Sequence, residues 1–317
     1  MKKRIFLASF LIASLAFSLL AQDLTSAADA FNAGIQFGKE AKFAEAAAKY
    51  EETVSICKQL GDEGMELQLK AEQQLPGTYF SLAKGFFDAK NYNEAIPNFE
   101  KSAQYAEQMG ETKTVDASLT YLAGIYYAQG GADLKNDASD AAIEKFNKAL
   151  SYKSDYYKAY YGLGLAYKKK DNLPFMKENL DKAIAMAGDD AKTAGNAKDA
   201  AASAYNKAGA LALQGGKYGP AIENLLAAQA YDNTNAKSFY YLAVAYNGQS
   251  KWDDAIAAAT KGIELTAEDK SDIYFELAKA QENKGDKANA CTNYKLVTGG
   301  NNVAAAKYQI EQVLKCQ

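Results

Sequence analysis

The sequence predicts an all-α protein built from serial helix-turn-helix units. Three observations predict it. Apolar residues recur at helical spacing along nearly the whole chain, the spacing pattern itself repeats at intervals near 34 residues, and composition favours helix over sheet. Hydrophobic residues make up 48% of the 317 positions and prolines number four. Alanine, lysine, glutamate and leucine are plentiful, while valine and isoleucine are sparse, so an extensive sheet is not expected.

The opening residues read as an export signal over residues 1–21. Lys2, Lys3 and Arg4 supply the positive start, Ile5 to Leu20 carry no charge, and Ala21 offers a small residue before Gln22. Leu19 stands where a small residue is preferred, so cleavage after Ala16, with Ser14 in that place, is an alternative. An uncleaved anchor is another, although the stretch is at the short end of the roughly 17–25 residues a spanning helix needs. No cysteine follows the apolar run, and no stable membrane insertion is expected after cleavage. The protein is expected to be exported, to the periplasm or beyond the cell.

Loss of that segment removes three of the 36 cationic side chains and takes the formal charge from −3 to −6 against 39 carboxylates. Arg4 is the sole arginine and histidine is absent. Arginine supplies the forked contacts to phosphates and base edges, so a nucleic-acid partner is not expected. Without histidine there is no Ser-His-Asp or Cys-His arrangement and no histidine-bound zinc. No catalytic residues, cofactor or metal are expected, and the chain is not read as an enzyme.

The repeats begin most clearly at Ala202. Tyr205, Ala208, Gly209 and Ala212 share a helical stripe, Gly215 and Gly216 break it, and Tyr218, Ala221, Leu225 and Ala228 form a second stripe. Thirty-four residues on, Phe239, Leu242, Ala243 and Tyr246 fall in register, followed by Trp252, Ala255, Ala259 and Gly262. Thirty-five further on, Tyr274, Leu277, Ala278, Ala290, Tyr294 and Val297 repeat the scheme. Upstream copies are Gly34, Phe37, Phe43, Ala46 and Tyr50; then Tyr79, Leu82, Ala83, Phe86, Tyr92, Ala95 and Phe99. A third is Leu119, Leu122, Ala123 and Tyr126 with Ala142, Phe146 and Ala149, and a fourth is Tyr160, Leu163, Gly164, Tyr167, Leu173, Met176, Leu180 and Ala183. Small residues on each first helix let the second approach, and the answering alanine comes twelve positions later, except in the fourth copy, where Met176 stands there and a locally wider or tilted packing is expected. The third copy is read as carrying an insertion between its helices.

This scheme resembles the tetratricopeptide repeat family. The resemblance implies a right-handed α-solenoid of about seven such units over residues 22–300, with a C-terminal capping helix in 301–317 running from about Val303 to Cys316. Gly130-Gly131-Ala132-Asp133, Lys135-Asn136-Asp137 and the segment 188–199 read as loops. The extra residues around 57–74 and 105–116 are expected to lengthen helices.

In this family the first helices line a concave groove. The resemblance therefore points to Lys158, Tyr161, Lys168, Asn206, Lys237, Tyr240 and Asn247 as a groove suited to an extended peptide of a protein partner in the cell envelope. A solvated helix face with structural tyrosines is the plainer alternative. Some members grip a terminal carboxylate with a lysine-asparagine-arginine clamp; Asn206 and Lys207 match it only in part, and that specificity is not carried over. The doublets Tyr126-Tyr127, Tyr156-Tyr157, Tyr160-Tyr161 and Tyr240-Tyr241 raise a second idea, a glycan-binding face made of exposed rings. Cys291 and Cys316 could staple the last repeat to the capping helix by a disulfide, or remain buried thiols, and Cys57 reads as core. Asp189-Asp190 and Asp253-Asp254 read as helix starts, not calcium ligands.

Overall fold

The computed structural model describes residues 22–317; the export-signal reading of residues 1–21 lies outside the described residues. Those residues form two compact units, one of residues 22–135 and 144–156, the other of residues 136–143 and 157–317. Among the described residues there is no strand.

The first unit contains α1 (residues 22–39), α2 (Phe43–Leu60), α3 (Met65–Asp88), α4 (Tyr92–Gln108), α5 (Thr112–Lys135) and the larger part of α6 (Ser139–Tyr152). Neighbours in sequence pack against each other, α2 on α3, α3 on α4 and α4 on α5. The second unit contains α7 (Tyr157–Lys169), α8 (Leu173–Met186), α9 (Ala191–Gln214), α10 (Tyr218–Gln229), α11 (Ala236–Gly248), α12 (Trp252–Leu265), α13 (Ser271–Lys284), α14 (Lys287–Lys295) and α15 (Val303–Tyr308). Each again packs on the next, and the first helices also touch one another, α7 on α9, α9 on α11 and α11 on α13.

One register governs all seven hairpins. In four of them a glycine on the first helix lies under a side chain sixteen positions later. A Cβ on Gly34 would sit 2.7 Å from the Tyr50 ring, on Gly130 2.7 Å from Phe146, on Gly209 2.6 Å from Leu225, and on Gly164 it would collide with Leu180. Alanine serves in the other three, where Ala83 clusters with Phe99, Ala243 with Ala259 and Ala278 with Tyr294. Seven positions after the small residue the chain turns through the left-handed region, at Ala41, Lys90, Asp137, Asp171, Gly216, Ser250 and Gly285, with φ between 51° and 90°. One residue with positive φ reverses the backbone inside a two- or three-residue turn, and five of the seven are not glycine.

This register corrects three readings. The segment 130–135 is not a loop, because α5 continues to Lys135 and Gly130 is there to admit the Phe146 ring. The third hairpin therefore has no insertion between its helices; Gly130, not Ala123, is its contact residue. The two positions differ by seven, which returns an α-helix to nearly the same face, so the apolar stripe at 119–126 imitates the true one. The segment 188–199 is a turn only to Asp190, whose carboxylate accepts from the Thr193 N–H and caps α9. Ala197, Ala200 and Ala201 then pack against Met176 and Leu180. The long intervals come mainly from the first helices, although α2 and α4, of 18 and 17 residues, are lengthened too. In α3, α5 and α9, each of 24 residues, the first helix is extended at its N-terminal end.

A second register joins successive hairpins. The Tyr79 and Tyr105 rings stack at 5.8 Å and both hydroxyls donate to Glu51 Oε1, at 2.6 and 3.3 Å. Tyr126 and Tyr152 stack at 5.7 Å, and Tyr152 donates to Glu100 at 2.5 Å. In the second unit Tyr205 and Tyr231 stack at 6.3 Å, and Tyr231 donates to Asp181 at 2.6 Å. Each carboxylate sits seventeen positions after the small residue of one hairpin, and the tyrosines four before and twenty-two after that of the next. Burial, followed by the bond to Asp181, pushes the Tyr231 hydroxyl up to about 12.

The chain ends with α15, shorter than the helix expected to reach Cys316. A π-turn at Gln309–Val313 follows it, and Ala306 and Leu314 pack with Tyr294 and Val297.

Candidate functional site

The expected groove residues lie on α7, α9 and α11, the row of first helices in the second unit. Lys158 is the second residue of α7 and its Nζ lies 5.8 Å from the Tyr157 ring. Tyr161 is half-buried against the cluster of Ala204 and Tyr205. Lys237 is exposed, with Nζ 5.6 Å from the Tyr241 ring. Tyr240 is half-buried on the core of Leu242, Ile273 and Leu277.

Lys168 stands apart from the others. It is partly buried in a cleft of about 250 Å³ lined by Asp171, Leu173, Ser203, Lys207 and Leu211, among others. Lys207 Nζ pairs with Asp171 at 2.8 Å, whereas Lys168 has no carboxylate partner among the described residues. Burial, reinforced by the nearby Lys207 charge, pulls the Lys168 ammonium below its ordinary value. Partial burial costs the ammonium some of its hydration, so an anion entering the cleft would be favoured there. Leu211 on the cleft wall is 55% exposed, an apolar shelf beside that charge. Asn206 does not line this cleft; its amide oxygen is buried and, among the described residues, accepts no hydrogen bond.

Asn247 does not join this polar surface. It is 4% exposed and its Nδ2 donates to the Glu276 backbone oxygen and carboxylate, at 2.9 and 2.7 Å, in the α11–α13 interface. The resemblance placed it in the groove beside the packing stripe; a partner 29 residues away cannot be read from that pattern. Asp171 and Leu211 were missed because the cleft exists only once α7 and α9 lie side by side, and Glu276 because it meets Asn247 only across α11 and α13.

The eight doublet tyrosines are all half-buried, and none is exposed. Tyr126 stacks on Tyr152, Tyr127 packs on Phe146, Tyr157 donates to Asp190 and Tyr240 meets Tyr241. They fill spaces between helices and present no row of ring faces. Cys291 and Cys316 are joined by a disulfide with Cα atoms 5.7 Å apart, and Cys57 is a buried free thiol. Among the described residues no group of three or more potential ligands could hold a metal, and no helix is long and apolar enough to cross a membrane.

Within each unit, serial antiparallel helical hairpins with small residues at their contacts define an all-α repeat fold. Solved structures similar to this chain include the crystal structure of MamA, 21% identical over 61% of this chain and 96% of that chain, with a TM-score of 0.38. YrrB, described as a TPR protein with an unusual peptide-binding site, is 15% identical over 60% of this chain and 88% of its own, with a TM-score of 0.36. The TPR domain of P58(IPK) is 11% identical over 91% of this chain and 97% of its own, with a TM-score of 0.35. No protein-family model matches the chain, and no curated protein sequence matches it.

Proposed function

We propose that the protein is a non-enzymatic adaptor that holds an extended peptide segment of a partner protein along the α7–α9–α11 row, in the bacterial cell envelope. Residues 1–21 then serve as the export signal, residues 22–300 as the repeat array and residues 301–317 as its cover. The observation that carries the reading is the cleft at Lys168. A cation without a carboxylate partner, beside apolar wall residues, is costly in an isolated surface and useful in a surface that is filled by a ligand. A peptide offering one carboxylate and a flanking apolar side chain satisfies both. Lys158, Tyr161, Lys237 and Tyr240 extend the contact to either side, with the tyrosines giving rigid area at small entropic cost.

The test is site-specific photo-crosslinking in intact cells. A photoreactive residue at Tyr161 or Tyr240 is expected to capture a protein, while one at Glu223, exposed on α10, captures none. Capture at Glu223 alone would overturn the proposal. Lys168→Ala is expected to weaken capture about tenfold, the usual effect of deleting a charged hydrogen-bonding partner.

A further inference from the structure

A cleft of about 490 Å³ lies in the first unit, walled by α1, α2 and α3 and by Glu111 from the α4–α5 turn. Tyr50 on α2 brings an unmatched hydroxyl to it. The residue is 4% exposed, and among the described residues its hydroxyl has no hydrogen-bonding partner. The ring passes over Gly34, and the hydroxyl ends beside Gly38, where a Cβ would stand 4.0 Å from the oxygen. Gly38 and Tyr50 both line the cleft. Among the described residues, the unpartnered side-chain atoms sealed from solvent belong to Asn206, Gln229, Ser238, Asn247 and Gln309. The Tyr50 hydroxyl is therefore both unpartnered and open to the cleft. Burial raises it above its ordinary value, so at neutral pH it keeps its proton and can donate.

The rest of the lining is mostly neutral and polar. Thr78 and Ser81 donate to the Gln74 and Gly77 backbone oxygens, at 2.7 and 2.9 Å. Their protons are spent on the helix, so their lone pairs are what they offer a ligand. Gln73 and Gln74, exposed on α3, carry amides that both donate and accept. Ile35 and Phe43 add an apolar side. Lys39 and Glu111 are the charged residues of the lining, one of each sign, so no net charge selects for an ion. We propose that this cleft binds a neutral oligosaccharide of hexopyranose units. A sugar hydroxyl accepts from a donor such as Tyr50 and donates to acceptors such as Thr78 and Ser81, while the C–H face of the ring rests on Phe43 and Ile35. An extended peptide matches this set less well, because its backbone offers one N–H and one C=O per residue and no group that does both.

The experiment titrates cellotriose, maltotriose and chitotriose in turn into the full chain and follows backbone amide chemical shifts. At least one of the three is expected to give saturable shifts in α1, α2 and α3. A capped trialanine peptide, neutral like the sugars, is expected to bind about tenfold more weakly or not at all. Tyr50→Phe, which removes only the hydroxyl, should weaken sugar binding by about three- to tenfold. Gly38→Ala places a methyl group in ordinary contact with that hydroxyl; it should weaken binding at least as much while thermal stability is kept. Gly85→Ala, on α3 but outside the lining and with nothing within 4 Å of its Cβ, should leave affinity unchanged. Absence of saturable shifts with all three sugars would overturn the proposal. So would equal or tighter binding of the capped peptide, or unchanged affinity in both Tyr50→Phe and Gly38→Ala. The cleft uses no residue of α7, α9 or α11, so either result leaves the Lys168 reading to its own crosslinking test.

Discussion

Two adjacent glycines in α5 show how far a single side chain's fate depends on what faces it. A Cβ on Gly130 would press into the Phe146 ring, whereas one on Gly131 meets nothing within 4 Å. Gly130→Ala should therefore cost about 1–3 kcal/mol through overpacking. Gly131→Ala should stabilise by about 0.5–1 kcal/mol, since alanine removes the entropy penalty of glycine in a helix. Urea denaturation of the two variants checks both signs. Glu51 gives a second contrast. Burial pushes its carboxyl up, but hydrogen bonds from Tyr79, Lys101 and Tyr105 together outweigh burial and hold it below its ordinary value. A depressed folded pKa means that the stabilisation is present above the unfolded value and is lost as pH falls through the folded one. Glu51→Gln is expected to be roughly 1 kcal/mol less stable than wild type at neutral pH. The gap should close as pH drops below about 4, which denaturation curves at several pH values will show.

The turns and the chain end carry the next expectations. Lys90 adopts φ 58° in the turn between α3 and α4, where a Cβ is strained. Lys90→Gly should stabilise by roughly 1 kcal/mol, and the same change at solvent-exposed Lys84, inside α3, should destabilise by a similar amount. Thermal melts of the pair separate turn strain from helix propensity. The Cys291–Cys316 bridge closes a loop with a sequence separation of 25. Loop-closure entropy puts its contribution at about 3.5 kcal/mol in the chain-entropy account. Reduction, or Cys316→Ser, should leave α7 to α12 protected against hydrogen exchange while protection in α14 and α15 falls.

Across the chain as a whole, each hairpin draws its stability from its own packing and from its immediate neighbours. Such arrays lose cooperativity as they lengthen, and the described residues already divide into two compact units. Trp252, the single tryptophan, stands at the start of α12 in the second unit. Its fluorescence should therefore report a urea transition that does not coincide with the far-ultraviolet circular dichroism of all the helices. Superimposable curves would mean that the two units unfold as one.

Much of this was legible from local pattern. Alanine-rich amphipathic stretches, paired small residues and intervals of 34 and 35 specify helical hairpins, because helix geometry maps a 3.6-residue period onto one buried face. Pattern failed where periodicity is degenerate. A seven-residue shift preserves the face, so Ala123 passed for Gly130, and glycines that admit an aromatic ring look in sequence like glycines that end a helix. The stacked tyrosine pairs over Glu51, Glu100 and Asp181 were present in the sequence at fixed spacings, but tyrosines read one hairpin at a time do not reveal a bond that spans two. The groove followed the same division. Helical phase put Lys168 and Tyr240 on first helices beside the packing stripe, and the resemblance to the repeat family made those helices a groove. That Lys168 lacks an anion while Lys207 has one, and that Asn247 is committed to Glu276, follow from distances between residues about 30 to 40 apart in sequence, and such distances exist only after neighbouring helices have packed.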